Sequence, residues 1–121
     1  MAILSEGKHT GEFIVSQANG ARSRGTGTVL SGETLEVGEL VGIVTASGKY
    51  AAYDNGADDG RETVAGISYA EVDASSGDVT GAVFVLRDAE VRATDLTYNT
   101  AVAGEITTAN TELEALGIIV R

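Results

Sequence analysis

The 121-residue chain has no cysteine, no proline and no tryptophan, and it has a single histidine. Without cysteine it has no disulfides, no thiolate metal ligands and no thiol nucleophile. Aromatic residues make up 5% of the sequence, too few to offer much stacking surface to a sugar ring. Basic side chains are also scarce. Eight Lys and Arg stand against eighteen Asp and Glu, for a net charge of −10. A chain this acidic is repelled by phosphate, which argues against nucleic acid and against anionic membrane surfaces as partners. No apolar run approaches the roughly 20 residues that cross a bilayer. The start, Met1 to Lys8, lacks the basic and long apolar regions of a secretory signal.

What is present points to one folded β domain. Leu, Ile, Val and Phe account for 30 of the 121 residues, more than disordered chains carry. Sixteen glycines punctuate short segments rich in Val, Ile, Thr and Tyr at intervals of about ten residues, the pattern of a barrel or sandwich. Strands are expected over Thr26–Leu30, Leu35–Val37, Leu40–Ala46, Lys49–Tyr53, Val64–Val72, Ala82–Arg87, Glu90–Ala93 and Ile118–Val120. Ser47-Gly48 joins the third and fourth of these as a hairpin. Ala82–Arg87 is the most apolar, with Val83 and Val85 on one face and Phe84 and Leu86 on the other. Both faces need cover, from the core or from a partner subunit, and the four residues are a candidate self-contact. Thr111-Glu112-Leu113-Glu114 fits a capping box opening one short helix, with Leu113 and Leu116 on one face and Gly117 at its end.

Residues 1–25 differ from the 26–121 body. Charge is uneven: residues 1–30 sum to +1 and residues 31–121 to −11. Within the first segment, Phe13-Ile14-Val15 forms one apolar patch among polar and small neighbours, followed by the turn signal Asn19-Gly20. One reading is an extended, flexible arm whose residues Glu12, Phe13, Ile14, Val15 and Ser16 add as a strand to the exposed sheet edge of another protein. On that reading, removing residues 1–24 leaves the body folded, and Phe13→Asp leaves the thermal midpoint nearly unchanged. The other reading is a first strand packed on its own body, for which the same substitution lowers the midpoint sharply.

Catalytic patterns are weak, so no enzymatic activity, cofactor or metal is expected. His9 lies in the arm with no orienting partner in view. Gly42 to Lys49 approaches a phosphate-binding loop, but five residues separate its glycines where four are needed, and Tyr50 replaces the magnesium-binding hydroxyl. Asp54, Asp58 and Asp59 resemble a calcium loop, but Gly56 falls where a ligand belongs. The loops 54–60 and 73–78 leave open an alternative reading as a carbohydrate- or cell-surface-binding module.

Four segments in order carry a family resemblance: Glu12 to Arg24; Leu40-Val41-Gly42-Ile43-Val44 through Tyr53-Asp54; Asp59-Gly60 with Ala65-Gly66-Ile67 and Tyr69; and Leu113 to Arg121. Together they span nearly the whole chain, and the sequence resembles the lambda-type head decoration proteins of tailed bacteriophages. Tyr98 stands where that family is expected to carry a tryptophan. The resemblance implies a β-tulip-like body with a small helix. It also implies a homotrimer on the outer surface of the virion, made in the host cytoplasm. Such a trimer binds the major capsid protein at three-fold and quasi-three-fold sites of the expanded head, where it cements the shell against packaged DNA. Its N-terminal segment becomes ordered by pairing with coat-protein strands.

Overall fold

The computed structural model describes residues 10–11, 13–17, 22–100 and 102–121. Its strands are β1 Ile14–Gln17, β2 Arg24–Val29, β3 Thr34–Leu35, β4 Leu40–Val44, β5 Lys49–Ala52, β6 Gly66–Ser68, β7 Val72–Asp73, β8 Val79–Val85, β9 Ala89–Val91 and β10 Ile118–Val120; helix α1 spans Ala103–Ala115. Strands β2, β5, β4, β6 and β8 close a barrel, while β1-β9-β10 form a separate three-stranded sheet and β3-β7 a two-stranded one. The mainly β body with one C-terminal helix is the fold class read from the sequence. The hairpin holds too: β4 and β5 pair antiparallel from Val41↔Ala52 to Val44↔Lys49. The expected strand Val64–Val72 is instead two short strands. At the break between them the buried Ser68 hydroxyl donates to the Ala70 carbonyl at 2.7 Å.

Two buried clusters explain why β8 is apolar on both faces. Phe84 belongs to a cluster with Val29, Leu35 and Val41, and the Tyr50 ring stacks on it with centroids 4.2 Å apart. Val85 belongs to a second cluster with Phe13, Leu40, Tyr53, Ile67 and Leu113. Successive residues of a strand point to opposite faces, so β8 lies between the two cores. β4 does likewise, through Val41 and Leu40. The chain's own core therefore supplies the cover that β8 needs. Phe84 and Val85 are fully buried, which corrects their assignment to a trimer contact; only Val83 and Leu86 of that candidate set keep partial exposure.

The helix starts eight residues before the expected capping box. Thr111 sits inside it, and its hydroxyl donates back to the Thr107 carbonyl at 3.0 Å, as Thr107 and Thr108 do to Ala103 and Gly104. The opening turn is held from outside: the Val102 amide donates to the Thr100 hydroxyl, which donates to Glu105. Ala109 and Leu113, one turn apart, carry the buried face. The end is as read: Gly117 adopts φ +84°, its amide donates to the Glu114 carbonyl, and β10 follows.

Glu112 on this helix is poorly accommodated. Its Oε2 accepts the Val64 amide at 3.3 Å, while Oε1 is buried without a hydrogen bond. Desolvation, with repulsion from Glu62 adding to it, raises its pKa above the ordinary 4.5. A carboxyl whose folded pKa is raised destabilises the fold once ionised. This contribution is absent below the ordinary value and grows as pH rises through the raised one. Glu112→Gln is expected to raise the thermal midpoint at pH 7.5 and to leave it near wild type at pH 4, as followed by circular dichroism melts at the two pH values.

Candidate docking surface

The β1-β9-β10 sheet brings the N-terminal segment and the last residues of the chain onto one strand. β1 runs antiparallel to β9 and β10 runs parallel to it, so β1 and β10 are the outer strands. Ala89 and Val91 are buried, which turns Glu90 to the opposite face. Across that face Ser16, Glu90 and Ile119 lie in one row. Val15 occupies a bulge between Ile14 and Ser16 and is 50% exposed; Ile119 is 39% exposed. They are two of the four large hydrophobic side chains that are exposed among the described residues.

Glu90 ties the three strands together. It accepts a hydrogen bond from the Ser16 hydroxyl at 2.9 Å and a charged one from the Arg121 guanidinium. Arg121 foremost, with Ser16, holds its carboxyl below the usual glutamate range. Arg22 pairs with Asp88 at 3.6 Å, and the Arg87 guanidinium donates to the Arg22 carbonyl at 2.7 Å. A groove of about 410 Å³ runs between these residues, lined among others by Gln17, Arg22, Asp88 and Ile119.

The sequence-predicted arm residues fall in different places. Glu12, like His9, lies outside the described residues. Phe13 is fully buried in the second core, its carbonyl accepting the Arg92 amide at 2.9 Å. Ile14 pairs with Val91 and is half-buried, while Val15 and Ser16 face solvent. Gly11 is held too, donating its amide to the Tyr69 carbonyl, and Arg24 lies over the Tyr69 ring at 4.8 Å. On the proposed 1–25 arm, the described residues 14–17 and 24–25 pair with strands of the 26–121 body, and Phe13 packs into its core. The apolar patch that looked unpartnered in sequence finds its partners in β9 and in the core beneath it.

Three of the loop acids are engaged within their own loops, while Asp78 accepts from the distant Lys49 ammonium and Ser31 amide. Asp54 accepts the Gly56 amide, Asp59 accepts the Arg61 guanidinium, and Asp73 accepts the Ser75 hydroxyl and amide. Among the described residues no three His, Cys, Asp or Glu side chains converge as metal ligands. The pairing of Glu90 with Ile119, and the approach of Arg22 and Arg121, were missed from sequence. The one available signal was Ile119, the middle of three apolar residues on a strand too short to bury both faces.

The end sheet thus carries two outer strands and a groove on one part of the body. The family model for bacteriophage lambda head decoration protein D matches residues 3–118 of the 121, and the chain belongs to that family. No individual curated protein matches it. Membership makes this a structural protein of the phage virion with a role in decorating the capsid.

Proposed function

We propose that the chain binds the outer surface of the expanded capsid as a homotrimer at three-fold and quasi-three-fold positions. There it bridges neighbouring copies of the major capsid protein and stabilises the shell against the pressure of packaged DNA. The observation that carries this reading is the end sheet, where no other strand among the described residues pairs with the outer edge of β1, beside exposed Val15. An unpaired edge offers amides and carbonyls to an incoming strand. Phe13 is a core residue, so the anchor consists of the outer edge of β1 together with the sequence ahead of Gly11. Three such anchors on one trimer multiply a modest strand addition through effective concentration. The acidic remainder faces outward and keeps decorated particles from adhering to one another.

Co-sedimentation with undecorated shells of the cognate coat protein, expanded and unexpanded, tests the proposal. Saturable uptake by expanded shells only, at three copies per three-fold position, is the expected result, and bound shells should rupture at a higher temperature than bare ones. Equal uptake by unexpanded shells would defeat the geometric account, and no uptake by either would defeat the decoration role.

A further inference from the structure

We infer that the outer face of the β1-β9-β10 sheet receives an acidic segment of the coat protein that also carries an apolar side chain. The inference rests on the decoration reading and gives the chemistry of its partner. Charge is the first argument. Arg22, Arg87, Arg92 and Arg121 surround this sheet against four acids, Asp88, Glu90, Asp95 and the Glu114 that borders Ile119 and Val120, so the sheet is locally neutral. The other described residues carry three basic side chains against twelve acidic ones. An approaching acidic segment is therefore repelled by most of the surface and accepted at this end, which also orients the encounter.

Of the ion-paired arginines here, Arg22 is the most loosely held. The Arg22 and Arg121 side chains are 71% and 61% exposed, and the Asp88 facing Arg22 is 47% exposed. Ion pairs in such settings contribute about 1 kcal/mol or less. A carboxylate arriving with its own apolar neighbours exchanges with them at little cost, and it exchanges into a drier site where the new pair counts for more.

Apolar surface is the second argument. Ile119 lies beside Glu90 in register and Val15 in the bulge on its other flank, with the 410 Å³ groove adjoining. One aliphatic side chain of the partner covers this surface while its carboxylate reaches Arg22 or Arg121. A second copy of the chain is the less favoured occupant, because it brings another body of net charge −10.

The test uses the full chain and expanded, undecorated shells of the cognate coat protein. Arg22→Glu and Ile119→Asp, each on an exposed side chain, are expected to lower apparent affinity by about tenfold or more. Arg22→Lys should recover much of the Arg22→Glu loss. Wild-type uptake should weaken between 0.05 and 0.3 M salt, and the Arg22→Glu variant should lose part of that dependence. Melts of the unbound variants within a few degrees of wild type separate a binding defect from a folding defect. Wild-type uptake with both variants binding as wild type would overturn this inference and leave the decoration role standing. Failure of the wild type itself would remove both. A changed oligomeric state of the unbound variants, with shell affinity intact, would assign the face to a second copy and overturn the inference.

Discussion

Phe13→Ala is expected to cost the isolated chain about 3–5 kcal/mol, the range for emptying a buried phenylalanine site. For a domain of this size that lowers the thermal midpoint by roughly 10–20 °C. The ring is fully buried against the second core, and no rearrangement of the exposed β1 residues fills the space it leaves. Phe13→Asp should be worse, since it adds an unpaired carboxylate to the cavity. A deletion gives the matching test. Removing residues 1–24 takes away Phe13, all of β1 and the Ser16–Glu90 bond, and should leave a chain without a cooperative melt. Calorimetry on these variants beside the wild type decides the matter. A Phe13→Ala midpoint within two or three degrees of wild type would mean that the segment is an arm detached from the body, as one reading of its sequence had it.

The burial of Phe13 favours the other reading, a first strand packed on its own body, and the sequence hid it for a definable reason. Phe13-Ile14-Val15 is an island in local composition, and everything that buries it is distant in sequence: Gly38, Val91 and the core around Leu113. Periodicity reports what a segment offers to a partner, not where the partner is. The same gap governed β8. Its two apolar faces correctly called for cover, but only the closed barrel shows that the chain itself provides it, through Phe84 on one side and Val85 on the other. Elements settled by adjacent residues were legible, namely the β4–β5 hairpin with its Ser47-Gly48 turn, the Gly117 helix stop and the short final strand. The helix was legible only in its last turns. Its first two turns, Ala103 to Asn110, add only the half-buried Ile106 and the small Ala109 to the face of Leu113, and threonine hydroxyls bonded to their own backbone mark no period. The docking face was the least legible part. Arg22, Glu90, Ile119 and Arg121 come from three separate regions: strand register brings Glu90 beside Ile119, and ion pairs bring Arg121 to Glu90 and Arg22 to Asp88.

Gly38→Ala is the second substitution expected to have a large effect, because two independent penalties fall on one added methyl. Gly38 has φ +84°, a region that costs an L-residue about 1–2 kcal/mol. A Cβ there would also stand 2.4 Å from the Asp95 carbonyl oxygen, with Phe13 3.6 Å away. Neither neighbour is placed to yield. The Gly38 amide donates to the Ser68 carbonyl at 2.9 Å and its carbonyl accepts the Thr97 amide at 3.0 Å, so the residue is fixed from both sides. Forcing the contact open strains the Glu39–Thr97 bridge and loosens the floor under Phe13. Overpacking of this kind adds about 1–3 kcal/mol, and the sum is expected near 3 kcal/mol. Gly32→Ala is the control: its φ is +96°, but nothing lies within 4 Å of the added carbon, so only the backbone penalty applies. Denaturant melts should place Gly38→Ala clearly below Gly32→Ala in midpoint at the same slope. Equal midpoints would mean that the Asp95 turn moves aside freely, and that Phe13 is held from β9 and the helix rather than from this turn. If instead the Gly38→Ala deficit shrinks when Phe13 is already alanine, the two residues share one packing unit and the N-terminal segment is fastened through it.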